Sequence, residues 1–303
     1  MKYLVTGGLG FIGSNLVDAL VENGHEVIVV DDLSTGQESY KNEKATTVIE
    51  SITNHERMLE LTQSVDAIFH VAAWARLQRS VDDPLGTNNA NIVGTLSMLQ
   101  AARINKVPRF IFSSSSSVYG EQADPIMRED MELNPLHPYA LQKWAGEQYC
   151  KLFSRLFQMN TVCLRYFNVY GPRQIVKGDY ALVIGKFLRQ KAEGGAMTIY
   201  GDGEQTRAYT HVSDVVRANI LAANMPYRAS NFDVFNIGTN VETSINQIAD
   251  MLGGERQYIN PNPRGNFEER RKAANNQKAL DVLGWQPSVS IEEGVKRLLE
   301  HEN

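Results

Sequence analysis

Cysteine is scarce in this chain: 303 residues carry two, Cys150 and Cys163, with no CxxC and no His/Cys ligand spacing. A disulfide framework is excluded on that count, both thiols are expected in the core, and no metal site is expected. Long apolar runs are also missing, since no stretch reaches 18 residues, and no membrane span is expected. The opening Met1-Lys2-Tyr3-Leu4-Val5-Thr6-Gly7 runs into a strand and a glycine turn without a cleavable apolar segment, so a cytoplasmic location is expected. Charge of one sign is not concentrated either. The net charge is −5, and the 30 Lys and Arg are scattered, with no basic stripe interleaved with aromatics, which argues against nucleic acid as a partner. Internal repeats are absent, and the one biased stretch is the serine run Ser113 to Ser117.

What is present suits a globular α/β protein. A 43% hydrophobic content over this length can bury a substantial core in one large or two modest domains. Residues 2 to 6 and 27 to 31 read as β-rich runs, and Phe11 to Glu22 between them carries apolar residues at helical spacing, which together make a βαβ unit. Strand-like runs follow near 46 to 49, 66 to 71, 109 to 114 and 161 to 166, separated by helical stretches near 54 to 62, 86 to 105 and 137 to 158. Such alternation predicts a doubly wound parallel sheet. After residue 166, Gly171-Pro172, Gly194-Gly195, Gly201-Asp202-Gly203 and Pro261-Asn262-Pro263 break the chain into shorter elements. The expectation is a first domain at 1–166 and a smaller one at 167–303, with parts of 205–240 returning to the first and ligands in the cleft between them.

Thr6-Gly7-Gly8-Leu9-Gly10-Phe11-Ile12-Gly13 follows a strand and opens a helix, the context in which backbone amides meet a pyrophosphate. Gly7 and Gly10 permit the tight turn, Gly13 lets helix and strand pack, and Phe11 and Ile12 supply amides of the first turn. Asp31 closes the second strand 18 residues after Gly13, where a carboxylate can accept from both ribose hydroxyls and repel a 2′-phosphate. NAD is therefore favoured over NADP; without the loop, Asp31 would also fit a generic strand-ending acid.

Tyr139 and Lys143 are four residues apart and share a helix face. A phenol with a pKa of roughly 10 becomes a base near neutrality once its phenolate is stabilised by about 4 kcal/mol. A neighbouring ammonium and a cationic nicotinamide can supply that. Alone the pair is an ordinary helix face; the glycine loop and the serine run give it meaning.

With these features in order, and with Leu164-Arg165-Tyr166-Phe167-Asn168-Val169-Tyr170-Gly171-Pro172-Arg173, Tyr200-Gly201-Asp202-Gly203-Glu204-Gln205-Thr206-Arg207 and Leu283-Gly284-Trp285-Gln286-Pro287, the chain resembles the extended short-chain dehydrogenase/reductase family. Its nucleotide-sugar 4-epimerases are the nearest in pattern. The resemblance implies a Rossmann-type fold and tightly bound NAD. It also implies 4-epimerisation of a UDP-sugar, glucose/galactose or the N-acetylhexosamine pair, through a 4-keto intermediate.

In that reading Ser115 and Tyr139 meet the sugar 4-hydroxyl, Lys143 holds the nicotinamide ribose, and Asn91 and Tyr166 neighbour the cofactor. Asn168, Arg207 and Arg270 grip the diphosphate. Taken singly, the two arginines also suit surface charges and Asn168 a turn cap. His70, ending an apolar strand, reads as a packed histidine rather than a proton shuttle, and Trp285 as core. The resemblance further implies a homodimer formed through the helices near 86 to 105 and 137 to 158.

Dehydratases and decarboxylases of the family carry an acid just after the serine, where this chain has Ser116 and Ser117; this favours epimerisation. Departures from the pattern are Gln142, Ser51, Ala208 and two cations, Arg76 and Lys272, on the sugar side. The cations raise a uronic acid sugar as an alternative substrate. Further alternatives are a dehydratase or reductase of the family and an NAD-binding regulator without turnover.

Overall fold

A computed structural model describes residues 1–75, 77–175, 182–226, 231–260 and 270–301. Arg76, Pro261-Asn262-Pro263 and the stretch Phe267 to Glu269 lie outside them. Seven parallel strands form the central sheet: β1 (Lys2–Thr6), β2 (Glu26–Asp31), β3 (Thr46–Ile49), β4 (Ala67–His70), β5 (Phe110–Ser115), β6 (Thr161–Tyr166) and β7 (Phe232–Ile237). Their order is β7-β6-β5-β4-β1-β2-β3, so the connection direction reverses beside β1, and a crevice opens there at the carboxyl ends of β1 and β4.

Period-two alternation splits the strands between two apolar layers. Tyr3, Val5, Val29, Phe69, Ile111 and Leu164 face one way, packing with Leu16, Val17 and Leu20 of α1 (Phe11–Glu22). Leu4, Val30, Ile68, Phe110, Phe112 and Cys163 face the other, packing with Met98, Leu99 and Ala102 of α2 (Gly94–Ile104) and Cys150 of α3 (Pro138–Phe157). Both thiols are buried and unbridged. Helix α4 (Val212–Asn224) covers the first face beside α1, and Trp285 lies fully buried in the same layer, its indole N–H donating to the Asp214 carbonyl at 2.8 Å.

The stretch read as one helix near 86 to 105 is three segments: helix Pro84–Asn88, a π-helical turn Asn89–Val93, and α2. A further short helix, Leu77–Asp82, precedes them. Helix α3 begins at His137, whose Nδ1 accepts the Ala140 N–H at 3.2 Å, with Pro138 in its first turn, and stops at Gln158 in the left-handed region. It buries Ala140, Lys143, Glu147, Cys150 and Ser154, one stripe at helical spacing. Gly146 lets it close on the sheet, because a Cβ there would lie 2.4 Å from the Phe112 ring.

Three strands that follow β6 and one that precedes it form a four-stranded sheet in the order Thr243–Ser244, Thr206–Arg207, Arg271–Ala274, Ile126–Met127. A separate apolar cluster joins helices Val183–Ala192, Ile245–Leu252 and Ile291–His301. No helix among the described residues is long and apolar enough to cross a membrane.

Candidate active site

One cavity of about 600 Å³ runs from the glycine turn to the four-stranded sheet. Gly7, Gly10, Phe11, Ile12, Gly13 and Asp31 line one end; Ser115, Tyr139, Tyr166, Asn168, Arg207 and Lys272 line the other. Gly7 and Gly13 are sterically required. Gly7 has φ +69°, and a Cβ there would lie 2.8 Å from Ala72 Cα; a Cβ on Gly13 would lie 2.0 Å from the Gly7 carbonyl. Helix α1 starts at Gly10 without a side-chain cap, so its first amides are left for a ligand in the cavity they line.

Asp31 is buried, its carboxylate accepting from the Leu9 N–H at 3.0 Å and the Leu33 N–H at 2.9 Å. Burial pushes its carboxyl up, the two amides oppose that, and Asp32 adds to the rise. A carboxylate has about four acceptor positions, which leaves capacity for two ribose hydroxyls. Gly36, which sequence reasoning missed, makes room here: its Cβ would sit 2.6 Å from Asp31 Oδ1. Uncapped helix amides, a turn no side chain can enter and a recessed acid fit the pyrophosphate and adenosine ribose of NAD. Asp31→Ser is therefore expected to raise the affinity for NADP relative to NAD by about tenfold or more, roughly one charged hydrogen bond plus one repulsion. Titrating both nucleotides against the variant checks it; an unchanged ratio removes Asp31 from that role.

At the reactive end, the Lys143 ammonium is buried and donates to the Ser113 carbonyl at 2.7 Å, with its nitrogen 5.9 Å from the Tyr139 ring centroid. Burial lowers its pKa to about 8. Ser115 Oγ accepts from the Ser117 N–H at 3.2 Å and the Ser117 hydroxyl at 2.9 Å, which leaves its own O–H to donate. Tyr139 stacks parallel to His137, centroids 6.1 Å apart. Tyr166 also reaches the cavity, but its hydroxyl is tied to Ser113 at 3.0 Å and Asn219 at 2.8 Å, and burial pushes it up to about 12. Tyr166 is thereby held as a neutral phenol.

Arg207 and Lys272 are register partners on adjacent parallel strands, so their side chains leave one face together and both line the cavity. Lys272 is buried and donates to the Ser116 carbonyl at 3.3 Å; Arg207 donates to the Thr206 carbonyl at 2.7 Å. Asn168 has φ +35° and donates to the Ala208 carbonyl at 2.8 Å.

Three sequence-derived candidates among the described residues are not lining residues: Lys143, buried beside Tyr139, Arg270 and Asn91. Arg270 is exposed and pairs with Asp202 at 2.8 Å. Asn91 is buried and clamps Trp74, accepting its N–H at 2.8 Å and donating to its carbonyl at 3.2 Å, while also donating to Gln142 at 2.8 Å. His70 is fully buried between Thr6 and Thr95, each 2.9 Å away, and its pKa falls to about 3 by burial, so it stays neutral.

Sequence reasoning missed Trp74, His137 and Gln174, all lining residues. Gln174 buries both amide atoms without a hydrogen-bond partner among the described residues, the state of a side chain awaiting a ligand. No group of three or more His, Cys, Asp or Glu among the described residues is arranged to hold a metal.

Residues 3–238 match the model of the NAD dependent epimerase/dehydratase family. The UDP-glucose 4-epimerase of Mycolicibacterium smegmatis is 37% identical over 312 residues, covering 99% of this chain and 98% of the relative. The crystal structure of Thermotoga maritima UDP-glucose 4-epimerase with UDP-glucose superposes with a TM-score of 0.93 at 39% identity, covering 100% of this chain and 98% of that one. UDP-glucuronic acid 4-epimerase from Bacillus cereus, in complex with UDP-glucuronic acid and NAD, gives 0.89 at 31% identity over the whole of both chains. A family model spanning most of the sequence, and relatives this similar from end to end, leave one placement: the chain belongs to the NAD-dependent epimerase/dehydratase family, whose coenzyme the glycine cradle and Asp31 fit.

Proposed function

We propose that the protein is a UDP-sugar 4-epimerase acting on the glucose/galactose or N-acetylhexosamine pair. The observation that carries this is Tyr139 and Ser115 lining one cavity, with the buried Lys143 nitrogen 5.9 Å from the Tyr139 ring centroid, and Ser116 and Ser117, not an acid, following Ser115. Tyr139 takes the proton of the sugar 4-hydroxyl and later returns it. Ser115 donates to the same oxygen as it becomes a ketone, and Lys143 favours the phenolate by its charge. When bound, NAD supplies reversible hydride acceptance. Because the 4-keto sugar must present its other face before it is reduced, the strongest grip belongs on the nucleotide, where Asn168 and Arg207 would hold the diphosphate, joined by Arg270 if it leaves Asp202. Residues 1–166, with parts of 205–240, would carry the coenzyme and the remainder the nucleotide sugar.

The buried Lys272, which lines the cavity, favours a second reading, a UDP-uronate, whose carboxylate a cation there would suit. Offering UDP-glucose, UDP-N-acetylglucosamine and UDP-glucuronate separately, without added cofactor, and following the C4 epimer by NMR separates these. Loss of carbon dioxide or a 4-keto-6-deoxy product would reject epimerisation.

The Lys143 ammonium sets a pH expectation. The charge that favours the phenolate is lost as pH rises through about 8, so kcat/KM should fall with an apparent pKa near that value. Stability moves oppositely: an unfolded lysine keeps its proton to about pH 10.4, so above about 8 the unfolded chain binds more protons and the cost of burying the ammonium is relieved. A profile flat to pH 10 argues against the role.

A homodimer is part of the proposal. Leu141, Leu152 and Leu156 of α3 are 50%, 45% and 65% exposed, with Leu85, Val93 and Ile104 exposed nearby on the preceding helices. Apolar residues in such a row suit a self-complementary contact, and sedimentation would reveal it.

A further inference from the structure

Trp74 and Ser34 sit on different loops, one following β4 and the other following β2, and β1 lies between those strands. The Trp74 indole N–H nevertheless donates to Ser34 Oγ at 3.0 Å. A bond between these loops must pass over the carboxyl end of β1, where the glycine turn begins, and both residues line the cavity with Gly7, Gly10 and Asp31. The Trp74 main chain is held at both its N–H and its carbonyl by buried Asn91. The Arg79 guanidinium stacks on the indole, 3.3 Å from its ring centroid. The backbone is therefore fixed and the indole is the part that can swing.

We propose that Trp74 is a latch on the dinucleotide groove: its bond to Ser34 closes over the bound coenzyme and slows its release. The bond spans the groove at the pyrophosphate cradle, so a dinucleotide seated on the α1 amides leaves only after the indole has turned away. Turning costs one hydrogen bond and the contact with Arg79, which raises the barrier to release without requiring any contact between the indole and the reacting sugar. The latch rests on the coenzyme occupying this groove and is independent of which sugar is turned over.

The test uses the full chain loaded with NADH and displaced by excess NAD, with release followed by NADH fluorescence in a stopped-flow instrument. Trp74→Phe keeps a ring for Arg79 but has no N–H; Ser34→Ala removes the acceptor. Each is expected to release NADH about tenfold faster, on the order of one hydrogen bond. The double variant should be no faster than either single one, because both cut the same bond, and Ser34→Thr, which keeps the hydroxyl, should release at the wild-type rate. Unchanged release in both single variants, or effects that multiply in the double variant, would overturn the latch while leaving the coenzyme site intact. A wild-type protein that binds no NADH overturns the site and the latch together.

Discussion

Tyr139→Phe is expected to lower kcat by roughly a thousandfold, within the range that a positioned acid–base group contributes, while leaving the melting temperature nearly unchanged. The substitution deletes one oxygen and keeps the ring that stacks on His137. Tyr166 cannot take over, because its hydroxyl is held by Ser113 and Asn219 and pushed up to about 12. Residual oxygen contacts come from Ser115, so a remnant of activity above that of the uncatalysed reaction is expected. Single-turnover kinetics on loaded enzyme would measure it, and a loss of less than about tenfold would mean that the proton travels by another group.

Arg165→Met is expected to destabilise the fold by about 3–5 kcal/mol, the usual cost of leaving one member of a buried ion pair unmatched. Arg165 meets Glu147 through two bonds, 2.9 and 2.7 Å, and both side chains are almost wholly buried. The network extends from Ser114, which donates to Glu147 at 2.5 Å, through Arg165 to the Tyr119 hydroxyl at 2.8 Å and on to Asn236 at 2.7 Å. It ties β5, α3, β6 and β7 together directly behind Ser115. Glu147 lies one helical turn beyond Lys143, so the same loss should loosen the reactive end as well. Urea unfolding gives the number; a change below about 1 kcal/mol would show that the freed carboxylate finds water. Replacing both partners with apolar residues should recover much of the loss.

Six of the seven central strands were legible because buried parallel strands read as short β-branched runs, and Phe11 to Glu22 was legible because its stripe follows the helical period. The segment near 86 to 105 was not. Its π-turn sets Asn91 where it can clamp Trp74 and reach Gln142, a demand from distant residues that leaves no trace in local periodicity. Of the candidate site, the glycines, Asp31, Tyr139 and Lys143 were read from fixed local spacing, and Ser115 from the family resemblance. Trp74, His137 and Gln174 were not, since each reaches the cavity through tertiary placement alone. Arg270 illustrates the reverse: the family resemblance implied a role on the diphosphate, and in the structure its side chain pairs with Asp202 on the surface.

The placement of β7 bears on how the protein is made. β6 lies between β5 and β7, yet β7 begins at Phe232 and the layer behind it is filled by Trp285. During synthesis β6 leaves the ribosome long before its neighbour exists and presents an open row of N–H and C=O groups that another nascent chain can pair with. The polypeptide thus passes through a window of vulnerability to misassociation that closes only when the last part of the chain arrives. Slow translation between the codons for residues 166 and 232 would widen that window.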